Sequence, residues 1–246
     1  MRVVVLTNGS AHGAEILKAL KAKDMPPSAL IIERPRRDVL LSLRTSIQKY
    51  GYIETAFDVL EFVCRQLSRN GAAFPYANYA ENVYSVVNFN EHDCIELLSR
   101  LQPDILVLGG SRILKPDVLT TARVAVLNAH PGLLPNYRGV DVIPQAILKG
   151  DPIGVTVHQV DSGVDTGAII AQQLVAIEPG DTILRLRRKA EIVAGCLVAQ
   201  VISDAMESGR IVGKPQDGVR GPLYRRMSRK LLRQAEQKLR DATLFP

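Results

Sequence analysis

The feature that most constrains the fold is a repeated alternation of short apolar runs with segments of helical period. After the first run and a glycine-bearing turn, Ile16, Leu17 and Leu20 are spaced as on one face of a helix. Strands that alternate with helices pair in parallel. The sequence therefore predicts an α/β fold, an open, mostly parallel Rossmann-like sheet with helices on both faces. The predicted strands are 2–6, 29–32, 83–87, 104–108, 124–127, 153–160 and 168–177.

The stretch from about residue 34 to 80 interrupts this alternation. Its apolar residues recur at helical spacing, and an aromatic, proline-bearing loop ends it. We therefore expect a main domain of residues 1–218 with a helical insert at about 34–80. Residues 219–246 form a separate, basic helical C-terminal tail in this division.

The net charge of +6 belongs to that tail. Residues 219–246 carry eight Lys and Arg against two acidic residues, so residues 1–218 are neutral overall. Nucleic-acid binding by the main domain is therefore not indicated. We expect the tail to be a solvated or packed helix, and contact with nucleic acid through its basic face stays open.

Several classes of protein are excluded by simple patterns. No apolar run approaches the roughly 20 residues of a membrane span. The N-terminal apolar run enters a turn too early for a signal peptide. Cys64, Cys94 and Cys196 are odd in number and lack the spacing of metal ligands. We expect a cytoplasmic protein with reduced cysteines, no metal and no membrane contact.

The turn at residues 8–13 lies between the first strand and the first helix. Backbone N–H groups at such a turn can bind a phosphate or another part of a substrate. The pattern differs from G-x-G-x-x-G, and a tight turn without a ligand explains it about as well. Gly9 and Ser10 are the candidate substrate-binding residues here, and we expect His12 to be a turn residue.

Asn128 and His130 stand two residues apart at the end of a predicted strand, so their side chains share a face. The carboxyl ends of parallel strands are where ligands bind. Asp165 lies in a second loop, residues 161–167, whose glycines permit close approach of a ligand. Taken singly, each residue has an ordinary explanation, such as a turn histidine or an Asx turn.

Together these residue types support direct acyl transfer to an amine. The Asn128 amide can donate to a tetrahedral oxyanion. A protonated His130, favoured by a nearby Asp165, can donate as well. Asp165 can accept the amine proton, directly or through water. Such a transfer requires no Ser or Cys nucleophile.

Three segments resemble the formyltransferase family, which includes glycinamide ribonucleotide formyltransferase, methionyl-tRNA formyltransferase and the sugar N-formyltransferases. Their order and spacing match the family's. The resemblance is strong from about 103 to 181, extends to 1–32 and fails for about 34–80. The segments are 128–139 (Asn-Ala-His-Pro-Gly-Leu-Leu-Pro-Asn-Tyr-Arg-Gly), 154–158 (Gly-Val-Thr-Val-His) and 164–172 (Val-Asp-Thr-Gly-Ala-Ile-Ile-Ala-Gln).

The resemblance implies 10-formyltetrahydrofolate as formyl donor and Asn128, His130 and Asp165 as catalytic residues. His158 matches a histidine near the active site of the ribonucleotide enzyme. The alternative interpretation is that His158 simply faces the polar edge of the sheet. The implied cofactor-binding residues are Arg112, Ile113, Leu114, Asp161, Ser162, Gly163 and Val164. The candidate substrate-binding residues are Gly9, Ser10, Tyr137, Arg138 and His158.

Differences between this sequence and the family's members narrow the choice of acceptor amine. The 28 residues after Gly218 are too few for the tRNA enzyme's C-terminal β-domain. The ribonucleotide enzyme's usual Gly-Ser-Asn is replaced by Gly9-Ser10-Ala11, and Arg138-Gly139 is closer to the tRNA and sugar enzymes. We expect a nucleotide-linked amino sugar or a similar small amine. Glycinamide ribonucleotide formyltransferase, a formyltetrahydrofolate hydrolase and a silent folate- or nucleotide-binding protein are the alternatives, and a homodimer stays open.

Overall fold

A computed structural model describes residues 1–34, 44–45, 47–48, 51–52, 56, 59, 74–216 and 221–241. Most of the expected helical insert, about 34–80, lies outside these described residues. So do Cys64 and the last five residues of the predicted tail.

A seven-stranded sheet forms the centre of the molecule. Its strands, in the sheet order β3-β2-β1-β4-β5-β7-β8, are β1 (Val3–Thr7), β2 (Ala29–Glu33), β3 (Val83–Val86), β4 (Ile105–Gly109), β5 (Ala125–His130), β7 (Gly154–Gln159) and β8 (Ile169–Leu174). The predicted α/β fold with a mostly parallel sheet is confirmed, since only the pairs β5–β7 and β7–β8 of this sheet are antiparallel. The loop between β7 and β8 is too short for a crossover helix, and an antiparallel pair needs none.

Helices cover both faces of this sheet. The helices of the described residues are α1 (Ala11–Ala22), α2 (His92–Leu101), α3 (Pro116–Leu119), α4 (Val142–Lys149), α5 (Ile183–Ser208) and α6 (Arg229–Arg240). α1, α4 and α5 pack into one apolar core, and α2 and α3 into the other. Gly195 lets α5 lie against α1, because a Cβ there would come within 2.5 Å of the Glu15 carbonyl oxygen. None of these described helices has both the length and the apolar run of a membrane span.

The C-terminal part of the chain returns to the main domain. A short parallel pair joins β6 (Arg138–Gly139) to β9 (Leu223–Tyr224). α6 then packs against α4 with Ala235 fully buried. Lys238 Nζ donates to the Leu148 carbonyl oxygen at 2.8 Å, and Glu236 accepts the Ile183 N–H at 3.0 Å. The basic helix is therefore a packed element with one face in solvent.

Candidate active site

A cavity of about 490 Å³ opens at the carboxyl edge of the parallel strands. It is lined by the loops at 110–114 and 160–165 and by residues of α1, α4 and α5. The carboxyl ends of β4 and β5 and the N-terminus of α1 meet there, as the strand order requires. Most of the predicted site residues line it. They are Ser10, Arg112, Ile113, Leu114, Asn128, His158, Asp161, Gly163, Val164 and Asp165.

Three residues predicted to bind substrate are held away from the cavity lining. Tyr137 is 5% exposed, donates its hydroxyl to Asp151 and stacks on Tyr224 with ring centroids 5.6 Å apart. Gly9 donates its N–H to Thr7 Oγ1 at 3.1 Å. Arg138 donates through Nε and Nη2 to the Val164 carbonyl oxygen. These contacts are internal to the protein, and contact of Gly9, Tyr137 and Arg138 with substrate stays a prediction.

Two further predicted residues, His130 and Ser162, also stand outside the lining. His130 is 4% exposed and lies behind the wall, in contact with Asp165. Ser162 is exposed on the outer side of its turn. A role for His130 must therefore act through Asp165 or follow a change of shape when a ligand binds.

The sequence did not indicate several lining residues. His12, expected as a turn residue, faces the cavity from the first turn of α1. Asp141, the N-cap residue of α4, completes that wall together with Arg187 and Glu191 of α5. The position of His12 two residues after Ser10, the N-cap of α1, is a signal that could have indicated this. Arg187 and Glu191 lie in a long helix whose docking over the site is a tertiary event, and no local pattern marks it.

Asn128 is oriented by its cross-strand neighbour. The β5–β7 register pairs Asn128 with His158, and Asn128 Nδ2 lies 3.2 Å from His158 Nε2. His158 Nδ1 lies 2.7 Å from the Gln159 carbonyl oxygen, which can only accept, so this nitrogen carries the proton. Nε2 therefore accepts from the Asn128 amide. The amide nitrogen has a second hydrogen, which is left for a ligand.

Asp165 is the charged centre of the site. Its Oδ2 accepts the Gly139 N–H at 2.8 Å and lies 3.5 Å from His130 Nδ1, and its Oδ1 lies 3.6 Å from His158 Nε2. Burial raises the pKa of Asp165, but its pairing with the imidazoles of His158 and His130, either of which can take up a proton, and the hydrogen bond from the Gly139 N–H together outweigh it. The pKa lies below its ordinary value, so the carboxyl is ionised at neutral pH.

His130 is neutral at neutral pH in this state of the protein. Burial lowers its pKa more than the Asp165 charge and the Tyr137 carbonyl raise it, and the charge of His158 lowers it further. Its Nε2 donates to the Tyr137 carbonyl oxygen at 2.7 Å, so Nδ1 is the bare nitrogen facing Asp165. The expectation of a protonated His130 is therefore corrected for the free protein, because burial dominates over the neighbouring carboxylate.

The two loops predicted to bind the cofactor are held by side-chain hydrogen bonds. Asn90 bonds the Ile113 carbonyl oxygen at 3.0 Å and the Lys115 N–H at 2.7 Å. Asp161 Oδ1 accepts from Gly163 N at 3.0 Å and from Thr166 Oγ1. Apolar side chains of Leu108, Leu114 and Val160 line the cavity beside these loops. An apolar slot edged by backbone polar groups fits a flat heterocycle such as the folate ring.

His12 makes the stability of the folded protein depend on pH. Burial, with a smaller effect of His130, lowers the pKa of His12 from 6.5 to about 4. In the unfolded chain His12 is therefore protonated below pH 6.5, whereas in the folded protein it is protonated only below about pH 4. The free energy of unfolding should fall by about 2 kcal/mol between roughly pH 7 and 5 from this residue alone. His130 adds to it in the same direction.

Urea denaturation at the two pH values measures this effect. His12→Gln should reduce the difference between them by about 2 kcal/mol, since glutamine does not titrate. An unchanged difference in the variant would show that His12 titrates normally in the folded protein.

Comparison with known proteins places the chain in a family. The formyl transferase family model matches residues 1–202. The methionyl-tRNA formyltransferase of Nitrosomonas europaea is 32% identical over 124 residues, which is 50% of this chain and 38% of the relative. The chain thus matches only about two fifths of the length of such curated relatives.

Solved structures share the fold at lower identity. Glycinamide ribonucleotide transformylase 1 from Symbiobacterium toebii is 24% identical with a TM-score of 0.58, covering 90% of this chain and 94% of its own. The formyltransferase PseJ from Anoxybacillus kamchatkensis, solved with UDP-4,6-dideoxy-4-formamido-L-AltNAc and tetrahydrofolate, is 20% identical with a TM-score of 0.50, covering 90% and 85%. The family match spans most of the chain and contains Asn128, His130 and Asp165. This protein belongs to the formyl transferase family.

Proposed function

We propose that this protein transfers a formyl group from 10-formyltetrahydrofolate to a primary amine. The observation that carries the proposal is the position of the Asp165 carboxyl on the cavity wall, 3.5 Å from His130 and 3.6 Å from His158. The base and the amide donor Asn128 thus line one cavity in a protein of this family, and the second proton-binding group, His130, contacts the base from behind the cavity wall. The family and its fold support the choice of reaction.

Asp165 and His130 act as the proton acceptor in this proposal. An amine attacks only when neutral, and a carboxylate on the wall pairs with its ammonium form. Asp165 alone is a weak base because its pKa is low. The bare Nδ1 of His130 faces Asp165 Oδ2, so one proton can be held between them as an imidazolium–carboxylate pair. The proton is then available to the leaving group.

Asn128 is the donor to the formyl oxygen. His158 accepts one amide hydrogen of Asn128, and the second amide hydrogen is available to donate to the ligand. A donor fixed before the reaction stabilises developing negative charge without reorganisation, which is commonly worth about 3 kcal/mol of activation free energy.

The donor's site in the proposal is the pair of loops at 110–114 and 161–164. When bound, 10-formyltetrahydrofolate supplies the formyl group. Ile113, Leu114 and Val164 offer apolar contact and backbone groups, and Arg112 supplies a positive charge that Glu33 anchors at 2.7 Å. Because Glu33 is 5% exposed and also accepts the Phe89 N–H, Arg112 has a rigid support.

The acceptor in the proposal is an amino sugar of a nucleotide-linked sugar. Arg187, like Arg112, is paired with a carboxylate: Asp141 lies 2.7 Å from its Nη2. Asp161 and Glu191 also line the cavity. A lining of paired charges and carboxylates suits the ammonium and hydroxyl groups of an amino sugar. The nucleotide-linked formamido sugar bound in PseJ agrees with this choice.

A panel of amines tests both parts of the proposal. The protein is incubated with 10-formyltetrahydrofolate and a nucleotide-linked amino sugar, glycinamide ribonucleotide, methionyl-tRNA or no amine, and tetrahydrofolate release and the formylated product are followed. We expect turnover with an amino sugar only. If glycinamide ribonucleotide were formylated and no amino sugar were, the proposed acceptor would be rejected. Formate release without an amine would identify a hydrolase, and folate binding without any turnover a silent binding protein.

A further inference from the structure

We propose that the C-terminal segment, residues 221–228, completes the active site by clamping the loop that carries Asp165, with Arg138 as the positioning residue. The kinetic part of this inference rests on the proposed function. The segment lies beyond residues 1–202, which the family match covers, and beyond the domain boundary expected from the sequence.

The first contact is between two short strands. β9 pairs with β6, Val140 N donates to the Tyr224 carbonyl oxygen at 3.1 Å, and Gly221 N donates to the Pro135 carbonyl oxygen at 3.1 Å. Gly139 has φ 95°, and a Cβ there would lie 2.2 Å from the Tyr224 carbonyl oxygen. The N–H of the same glycine donates to Asp165 Oδ2 at 2.8 Å. One residue is thus bonded to the reacting carboxylate and packed against β9.

Arg138 ties the same two parts together through its side chain. Its Nε and Nη2 donate to the Val164 carbonyl oxygen at 3.0 and 2.9 Å, and its Nη1 donates to the Gly221 carbonyl oxygen at 3.5 Å. The guanidinium therefore connects the residue before Asp165 to the first residue of the C-terminal segment. Its planar fork is suited to holding one carbonyl with two donors.

The backbone of Asp165 needs this support. Its φ is 54°, in the left-handed region that costs a non-glycine residue about 1 kcal/mol or more. Gln216 Nε2 holds the same turn from another side, donating to the Asp165 and Gly167 carbonyl oxygens at 3.1 and 2.7 Å. A displacement of about 1 Å at a reacting group can lower the rate roughly 100-fold. The clamp therefore acts on the rate through the position of Asp165.

The far end of the segment supports the opposite wall. Met227 N donates to Asp141 Oδ2 at 2.8 Å, and Asp141 Oδ1 pairs with Arg187 at 2.7 Å. Asp141 and Arg187 line the cavity, whereas Arg138 does not. Residues 221–228 thus hold both sides of the site, and we assign them to the catalytic domain.

Arg138→Met and Arg138→Lys test the clamp in the full chain. Arg138→Met should lower kcat about 10- to 100-fold with both KM values within about 3-fold, because Arg138 positions Asp165 without lining the cavity. Arg138→Lys should recover part of kcat through one remaining donor. Arg233→Met, an exposed arginine on α6, is the matched control and should behave as wild type. A wild-type kcat in Arg138→Met would overturn the proposal.

A second measurement is independent of turnover. The pKa of Asp165 is followed by ¹³C NMR of the labelled carboxyl, with His130, His158 and the Gly139 N–H as the groups that face it. It should rise in Arg138→Met and stay unchanged in Arg233→Met. An unchanged pKa would contradict the clamp. A rise in a protein that formylates no amine would leave the clamp standing and reject the proposed function. Loss of folding in both Arg138 variants would show a purely structural role and overturn the proposal.

Discussion

Replacing Asp165 with Asn is expected to lower kcat/KM by at least about 100-fold while the protein stays folded. Asparagine adopts positive φ as readily as aspartate, and its side-chain oxygen can still accept the Gly139 N–H. The substitution therefore removes the charge and little else. Without the carboxylate, neither the amine proton nor the imidazolium of His130 has a partner.

Steady-state kinetics with the preferred amine and circular dichroism measure this effect. Asp24→Asn is the matched control, because Asp24 also has positive φ, 56°, but stands in an exposed turn after α1. It should leave kcat/KM unchanged. A loss of less than about 10-fold in Asp165→Asn would mean that another group accepts the proton.

Asn128→Ala is the second substitution with a large expected effect, a loss of at least about 100-fold, mainly in kcat. The reason is that the amide is a preorganised donor whose orientation His158 sets at 3.2 Å. Alanine removes the donor, and solvent is a poor substitute in a partly enclosed cavity. It also frees His158 Nε2, which then faces only Asp165 at 3.6 Å.

The split between kcat and KM decides how Asn128 acts. A loss confined to KM would show that Asn128 binds the ground state only, contrary to the proposed role. Asn82→Ala provides the control. Asn82 lies just before β3 at the amino edge of the sheet, where its side chain donates to the Ser28 carbonyl oxygen. Wild-type kinetics are expected for that variant, which separates the site from a general effect of Asn→Ala.

The fold and the centre of the site could be predicted because their signals are local. Period-two and period-3.6 patterns indicate strands and helices, and their alternation requires a parallel sheet whose carboxyl edge binds ligands. Asn128 and His130 share β5, so their common edge follows from the strand alone. The glycine-rich turn around Asp165 follows β7, which is antiparallel to β5, so the family resemblance and not strand direction predicted its meeting with Asn128 and His130. These predictions depended on residues close together in the chain.

The tertiary structure decided what depends on distant parts of the chain. His12, Asp141 and Arg187 form a wall because α5 docks against α1 and α4, a contact without a local pattern. The return of β9 gives Tyr137 and Arg138, both predicted to contact substrate, internal partners that no local pattern indicates.

The sequence by itself determined which chemical groups meet at the sheet edge, since strand periodicity and loop order are properties of neighbouring residues. Only the tertiary structure decided the protonation states of these groups. Burial makes His130 neutral in the free protein, and hydrogen bonds from distant residues keep Asp165 ionised. Desolvation and long-range hydrogen bonding depend on everything packed around a group, so no stretch of sequence contains them.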